Sequence, residues 1–218
     1  MKTKKNKHAL VICNGEMPSK NLIAPLLRKK PFVLCADGGA NKARSFSIEP
    51  DCIIGDLDSI TLKTRQYYSS VEVIHIDDQN STDLEKALDH LLKLRIGSAT
   101  IVGATGNRPD HALSNFSILV KYHKKLQVLF LDDYCSIEVV QKTVRFRAVV
   151  GQQISIIPMG TCSGIVTTGL KYPLKKESLA LGVREGSSNE AVAPTVTISC
   201  KKGSLLLFKI HPSYPARL

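Results

Sequence analysis

The sequence predicts an α/β domain followed by a smaller all-β domain. Before residue 134, short apolar runs alternate with segments whose apolar residues recur at helical spacing. After residue 134, apolar and polar residues alternate with period two between turn residues, and no helical pattern interrupts them. These observations predict a mostly parallel, Rossmann-like sheet with flanking helices in residues 1–134 and an antiparallel β-sandwich in residues 135–218.

Six apolar runs of the first domain have the length of buried strands. They cover residues 9–13, 32–36, 52–54, 71–76, 99–102 and 128–131. The clearest helix spans 82–94, where Leu84, Leu88 and Leu91 share one face and Thr82 with Glu85 forms a capping box. A second helix runs from about 110 to 122, after Pro109. Helices between strands imply crossover connections and therefore parallel pairing.

The second domain contains six segments with strand periodicity. They cover residues 135–141, 144–150, 153–157, 164–168, 195–200 and 205–210. Short strands at this spacing are typical of a small sandwich or partial barrel.

The composition indicates a globular chain without membrane spans. The chain has 218 residues, of which 43% are hydrophobic and 22% charged, and no apolar run approaches the ~20 residues needed to cross a bilayer. The basic start, Met1–Lys7, precedes an apolar stretch, 9–13, that is too short for a secretion signal. Six scattered cysteines without a Cys-x-x-Cys pair indicate buried thiols. We therefore expect a cytoplasmic protein.

The formal charge of +11 raises the possibility of nucleic-acid binding. However, the basic residues form short separated runs, such as Lys4-Lys5 and Lys201-Lys202, with few aromatic residues between them. This pattern favours a solvated basic surface that attracts small anions, and we expect no nucleic-acid partner.

Acidic residues follow the predicted strands of the first domain, where the strands end. They are Asp37, Asp56, Asp58, Asp77, Asp78, Asp83 and Asp110. Ligands of open parallel sheets bind at the carboxyl ends of the strands. Any one of these residues could be a helix cap or a turn, but their accumulation at one edge favours a site.

Neighbouring carboxylates destabilise one another unless a cation neutralises them. Oxygen ligands without a histidine or cysteine cluster suit Mg²⁺, which keeps water and substrate phosphates as its other ligands. The sequence therefore predicts a magnesium site and a phosphate-bearing substrate. Arg108 could bind a phosphate beside the second helix, and His111 is as compatible with packing as with acid–base chemistry. The glycines match neither a P-loop nor a dinucleotide fingerprint.

The chain resembles the thiamine pyrophosphokinase (thiamine diphosphokinase) family. The motifs that carry the resemblance are Ala36-Asp37-Gly38-Gly39-Ala40-Asn41, Gly55-Asp56-Leu57-Asp58-Ser59, Asp78-Gln79-x-x-Thr82-Asp83-Leu84-x-Lys86-Ala87 and Gly106-x-Arg108-x-Asp110-His111. In the second domain, residues 167–172 and 186–190 are similar to the family's thiamine-binding β-domain.

The resemblance implies transfer of a diphosphate from ATP to the thiamine hydroxyl, with AMP as the coproduct. It implies that Asp56, Asp58 and Asp83 are catalytic and hold Mg²⁺. It implies that four further residues contact ATP: Asp37, Gln79, Arg108 and Asp110. It also implies a homodimer whose sites are shared between subunits.

For thiamine, the resemblance implies contacts from Ser188, Asn189 and Leu206 of the second domain. The family often stacks a tryptophan on thiamine, and this chain has none; our strand alignment places Leu206 at that position. The other rings that could take this role are Tyr172 and Phe208, of which we expect Phe208 to pack in the core.

Two other functions remain compatible with the residues alone. One is a pyrophosphokinase or nucleotidyltransferase that uses the same carboxylates on another alcohol. The other is a basic nucleic-acid-binding or nucleotide-sensing module in which the carboxylates only support the structure.

Overall fold

The computed structural model describes residues 8–213. The basic segment Met1–Lys7, which bears on the secretion signal, lies outside this range. The chain divides into two compact units, Met1–Asp133 and Tyr134–Leu218.

The first unit alternates strands and helices. Its strands are β1 (His8–Ile12), β2 (Phe32–Ala36), β3 (Cys52–Gly55), β4 (Glu72–His75), β5 (Ser98–Val102) and β6 (Gln127–Leu131). Its helices are α1 (Lys20–Arg28), α2 (Gly39–Ser45), α3 (Leu62–Tyr67), α4 (Asp83–Lys93) and α5 (Pro109–Tyr122).

The strands of this unit pair in parallel, in the order β6-β5-β1-β2-β3-β4. In β1 and β2, four of the five residues are buried, because helices cover both faces of the sheet. The predicted α/β fold is confirmed. The edge strand β4 has mostly exposed side chains.

The capping signals predicted the long helices well. Thr82 caps α4: its hydroxyl accepts a hydrogen bond from the Glu85 backbone, and the Glu85 carboxylate accepts one from the Thr82 backbone. Helix α5 begins at Pro109, one residue earlier than predicted. Helices α2 and α3 have seven and six residues, too few to give a periodic signal, and α1 contains Pro25.

The second unit contains strands only, within residues 134–213. They are β7 (Cys135–Val139), β8 (Thr143–Arg147), β9 (Gln153–Pro158), β10 (Thr161–Thr168), β11 (Lys175–Ala180), β12 (Gly186–Glu190), β13 (Thr195–Ser199) and β14 (Leu205–Ile210). They form two antiparallel sheets, β12-β9-β14-β7 and β11-β10-β13-β8.

Side chains from both sheets of the second unit form one core, for example Ile156 and Leu207 from one sheet and Ile165 and Val196 from the other. The predicted sandwich is therefore confirmed. Sequence periodicity missed β11 and β12, whose pairings with β10 and β9 contain register shifts that break the period-two pattern.

All six cysteines are buried and free of disulfides. In residues 8–213, the helices are too short or too polar to span a membrane.

Candidate active site

A cavity of about 550 Å³ opens at the carboxyl end of the parallel sheet in the first unit. Its wall includes Asn14 after β1, Asp37 after β2, Asp56 after β3 and residues 103–108 after β5. The first turns of α4 and α5 complete the wall with Asp83 and His111. The site therefore lies where a parallel α/β sheet is expected to bind its ligand.

Three carboxylates converge beside this cavity, of which Asp37 and Asp56 line its wall and Asp58 lies next to them. Asp37, Asp56 and Asp58 each offer an oxygen atom, and these three atoms lie within 4.8 Å of one another. The residues come from two loops: Asp37 follows β2, and the other two follow β3. Because β2 and β3 are parallel neighbours, both loops emerge at the same edge.

Asp37 is the buried member of this carboxylate cluster. Its Oδ1 is buried and has no hydrogen-bond partner among the described residues. Burial raises the pKa of Asp37, and the charges of Asp83 and Asp58 raise it further, whereas hydrogen bonds from Gly38 and Ser59 oppose the shift. A buried carboxylate oxygen without a hydrogen-bond partner is suited to bind a cation.

Asn41 fastens the loop that carries the other two carboxylates. Its Nδ2 donates to the Ser59 carbonyl at 2.8 Å, and its Oδ1 accepts from the Thr61 backbone at 3.1 Å. Within the loop, the Ser59 hydroxyl donates to Asp58 at 2.8 Å. Helix α2 thus fixes the loop to which Asp56 and Asp58 belong.

Gly55 allows the carboxylates to approach one another. A Cβ atom at this position would lie 2.8 Å from the Asp37 Cβ and 3.0 Å from an Asp83 oxygen, and its φ of +153° disfavours other residues. Because Asp37 and Asp83 both lie against this position, the last residue of β3 must be glycine.

Asp83 lines the cavity but does not belong to the three-carboxylate group. Its Oδ1 accepts from the Lys86 ammonium at 3.1 Å, and the same ammonium lies 3.9 Å from Asp56 Oδ2. The structure thus places two of the three predicted metal ligands, Asp56 and Asp58, together with Asp37, and pairs Asp83 with a lysine.

The four predicted ATP residues differ in position. Asp37 and Arg108 line the cavity, whereas Gln79 and Asp110 are exposed and are not part of its wall. Arg108 binds Asp110 through two hydrogen bonds, of 2.9 and 2.6 Å. The guanidinium holds the pKa of the Asp110 carboxyl well below its usual range. Asp110 thus orients the Arg108 guanidinium at the start of α5.

Sequence reasoning assigned no role to three residues of this site. Asn14 had a positional signal, since it follows β1 at the same edge as the acids. Lys86 also had one, because it stands between the apolar positions Leu84 and Ala87 of an amphipathic helix. Asn115 had none, and it supports the β5–α5 loop by donating to the Ala104 carbonyl at 2.8 Å.

The second unit presents Tyr172 on a braced loop. The Tyr172 side chain is 64% exposed. The buried amide of Asn189 holds its backbone: Oδ1 accepts from the Tyr172 N–H at 3.1 Å, and Nδ2 donates to the Tyr172 carbonyl at 2.8 Å. Asn189 therefore positions the Tyr172 backbone. Ser188 is exposed beside it.

The expectation for Leu206 needs correction. Leu206 is 1% exposed, because β14 is an inner strand of its sheet and pairs through Leu206 with Val139 and Ile157. Such a side chain offers no surface on which thiamine could stack. Phe208, two residues further along β14, is partly buried.

Comparisons with known proteins agree with this geometry. Residues 23–130 match the family described as thiamin pyrophosphokinase, catalytic domain, and residues 133–205 match the thiamin pyrophosphokinase vitamin B1 binding domain. The chain belongs to the thiamine pyrophosphokinase family. The resemblance carried by the sequence motifs is thus confirmed over both units.

Individual members of the thiamine pyrophosphokinase family are similar over most of their length. Thiamine pyrophosphokinase 1 of Oryza sativa subsp. japonica is 31% identical over 88% of this chain and 83% of its own length. Thiamine pyrophosphokinase of Bacillus subtilis (strain 168) is 30% identical over 79% of this chain and 84% of its own. The crystal structure of a Bacillus subtilis thiamine pyrophosphokinase superposes with a TM-score of 0.84 at 25% identity, covering 94% of this chain and 99% of that one.

Proposed function

We propose that this protein is an enzyme that transfers a diphosphate group from ATP to the hydroxyl of thiamine, giving thiamine diphosphate and AMP. The observation that carries the proposal is the convergence of Asp37, Asp56 and Asp58 at a cavity of the first unit, in a chain that matches both domains of the family. In the reaction, the thiamine oxygen bonds to the β-phosphorus of ATP. The bond from that phosphorus to the oxygen of the α-phosphate breaks, AMP leaves, and the hydroxyl gives up its proton.

The residues of the cavity fit Mg²⁺. The donor set consists only of carboxylate oxygens, and the buried Asp37 Oδ1 has no protein partner within residues 8–213. Asp37, Asp56 and Asp58 would hold the ion. When bound, it would neutralise phosphate charge, which is the main requirement of phosphoryl transfer. Asp83 would join these ligands through its other oxygen, as the family resemblance implies, because the Lys86 ammonium hydrogen-bonds only to Oδ1.

The other residues of the first unit bind and orient ATP. Asp110 holds Arg108 through Nε and Nη2, and the guanidinium keeps its Nη1 hydrogens and the second Nη2 hydrogen for phosphate oxygens. The adjacent loop contains Gly103 and Gly106 with φ of +68° and +83°, which brings backbone close to the cavity without side chains in between. Gln79 contacts ATP in this proposal from the exposed turn before α4.

We assign thiamine binding to the second unit, with Tyr172 as the stacking ring in place of Leu206. Thiamine is a cationic aromatic molecule and gains from an exposed aromatic face. Tyr172 offers such a face, Asn189 braces it, and Ser188 adds a hydroxyl nearby.

Tyr172→Ala is expected to raise the thiamine KM by about 2- to 30-fold, which corresponds to a stacking energy of ~0.5–2 kcal/mol. The ATP KM should stay unchanged, because the ring touches only the acceptor. Steady-state kinetics with each substrate varied in turn measures both. Tyr172→Phe, which keeps the ring, is the matched control and should retain a KM near that of the unaltered protein. Equal thiamine KM values for Tyr172→Ala and Tyr172→Phe would contradict the assignment.

An acceptor series separates this function from its nearest alternative. The protein, ATP and Mg²⁺ are incubated with thiamine and with other primary alcohols, including nucleosides, and AMP release is measured. We expect release with thiamine. Release with another alcohol and not with thiamine would instead identify a related pyrophosphokinase. The comparisons give no support to a nucleic-acid-binding module.

We further propose a homodimer in which Tyr172 of one subunit serves the carboxylates of its neighbour, as the family resemblance implies. Asp58→Asn and Tyr172→Ala, mixed at a thiamine concentration well below KM, should gain about a quarter of full activity in addition to the residual activity of the Tyr172→Ala homodimers, because half the dimers are mixed and each has one intact site of two. Asp58→Asn mixed with Asp56→Asn is the control and should recover none. Absence of recovery in the first mixture, despite subunit exchange shown by capture of a tagged subunit, would contradict shared sites.

We also propose a cytoplasmic location. Six buried cysteines, all free, fit a compartment that keeps thiols reduced.

A further inference from the structure

The β5–α5 loop, residues 103–108, forms part of the cavity wall in a backbone conformation that needs outside support. Gly103, Gly106 and Asn107 have φ of +68°, +83° and +53°. Positive φ is unfavourable for asparagine, and the two glycines leave the loop many other conformations. The shape of the loop, and with it the position of Arg108, therefore depends on contacts from neighbouring elements.

Backbone groups of the β5–α5 loop are held from two sides. The loop before α1 donates two backbone hydrogen bonds, to the carbonyls of Gly103 and Thr105 at 2.8 and 3.2 Å. From α5, the Asn115 side chain donates to the Ala104 carbonyl at 2.8 Å. These contacts fix the first half of the loop through its carbonyl groups.

The Thr105 side chain is held from a third side, by Asp132 after β6. Thr105 Oγ1 donates to Asp132 Oδ2 at 2.9 Å, and both residues are half-buried. Thr105 lines the cavity, whereas Asp132 is not part of its wall. Hydrogen bonds to a carboxylate are stronger than those between neutral groups. Asp132 thus fastens the middle of the loop, just before the flexible Gly106.

We infer that Asp132 is a positioning residue for ATP: through the Thr105 hydroxyl it holds the β5–α5 loop in the shape that places Arg108 at the cavity. The inference rests on the proposed function, which assigns ATP to this cavity. In this role Asp132 does not contact ATP, and its whole effect passes through Thr105.

The sign of the effect separates positioning from electrostatics. ATP is an anion, so removal of a nearby carboxylate lowers the ATP KM if only charge matters. Loss of the positioning contact raises the ATP KM, because the loop then adopts its ATP-binding shape for only part of the time. Asp132→Asn removes the charge but keeps an oxygen that accepts the Thr105 hydrogen, whereas Asp132→Ala removes both.

The test compares the KM values for ATP and thiamine in full-chain variants at a fixed Mg²⁺ concentration. We expect an ATP KM about tenfold higher in Asp132→Ala and in Thr105→Val, which keeps the shape of threonine without its hydroxyl. The thiamine KM, and kcat at saturating ATP, should stay within about threefold, because thiamine is assigned to the second unit and saturating ATP restores the loop.

The matched controls are Asp132→Asn and Thr105→Ser, which keep the hydrogen bond and should leave the ATP KM within about threefold of that of the unaltered protein. The double variant of Asp132→Ala and Thr105→Val should show the same tenfold rise as each single variant and not about a hundredfold rise, because both substitutions remove one contact. Circular dichroism and thermal denaturation show whether each variant is folded.

Four results would overturn the inference. They are an unchanged or lower ATP KM in folded Asp132→Ala, an equal rise in both KM values, an equal rise in Asp132→Asn, or additive effects in the double variant. If Asp132→Ala does not fold, an unchanged ATP KM in folded Thr105→Val overturns it instead. These results leave the proposed function standing, since that function fails only if the unaltered protein releases no AMP from ATP and thiamine; the inference would then fail with it.

Discussion

Asp56→Asn is expected to lower the rate of diphosphate transfer by at least about a thousandfold, equivalent to ~4 kcal/mol of transition-state stabilisation. Asparagine keeps the shape of the side chain but removes one of three charges that converge within 4.8 Å. The carboxylate cluster then loses the Asp56 carboxylate, which also lies 3.9 Å from the Lys86 ammonium. Rates at saturating ATP and thiamine, over a range of Mg²⁺ concentrations, measure the loss.

The fold of Asp56→Asn should survive, because its carboxylate makes a long ion pair with Lys86 and accepts a 3.3 Å hydrogen bond from the Asp58 N–H that the asparagine Oδ1 can also accept. Removal of one charge also relieves repulsion from its neighbours. Asp77→Asn is the matched control, since Asp77 is an exposed aspartate that follows β4. It should retain full activity. A folded Asp56→Asn variant with a rate within about tenfold of the unaltered protein would remove Asp56 from the metal site.

Gly39→Ala is expected to destabilise the protein by about 3 kcal/mol, with a melting temperature lower by roughly 6–12 °C. A Cβ atom at Gly39 would lie 1.9 Å from the backbone oxygen of Ile12, so the start of α2 must move away from β1. Asp37 and Asn41 flank this turn and would move with it. Thermal and chemical denaturation measure the effect.

Gly97→Ala is the control for Gly39→Ala. Its Cβ would meet no atom within 4 Å, and its stability should therefore be unchanged or slightly higher. Equal stability of the two variants would show that α2 does not pack on β1 as closely as the structure describes.

Much of the fold was predictable because its signals are local. Apolar runs gave the parallel strands, and Thr82 with Glu85 gave the start of α4. The rule that ligands bind at the carboxyl ends of parallel strands then brought Asp37, Asp56, Asp58 and Asp83 to one edge without knowledge of the coordinates.

The rest depended on contacts between residues distant in the sequence. Asn189 uses its amide on the backbone of Tyr172, 17 residues away, which no local pattern reveals. In the sequence, Leu206 is one of several apolar residues in a strand. Its burial follows from the inner position of β14 in the sheet, which the sequence does not show.

The site showed the same limit. Asp83 looks like the other acids of the edge, and only the position of the Lys86 ammonium distinguishes it from them. Charge counts along the chain cannot show which carboxylate a buried lysine will occupy, since that is decided by the side on which α4 packs against β2 and β3.

The most direct test of the account is the identity of the nucleotide released from ATP in the presence of Mg²⁺ and thiamine. Transfer from the β-phosphorus predicts AMP and thiamine diphosphate in equal amounts, measured by chromatography at several times, with no AMP when thiamine is left out. Formation of ADP with thiamine monophosphate would show attack at the γ-phosphorus and would contradict the proposed reaction.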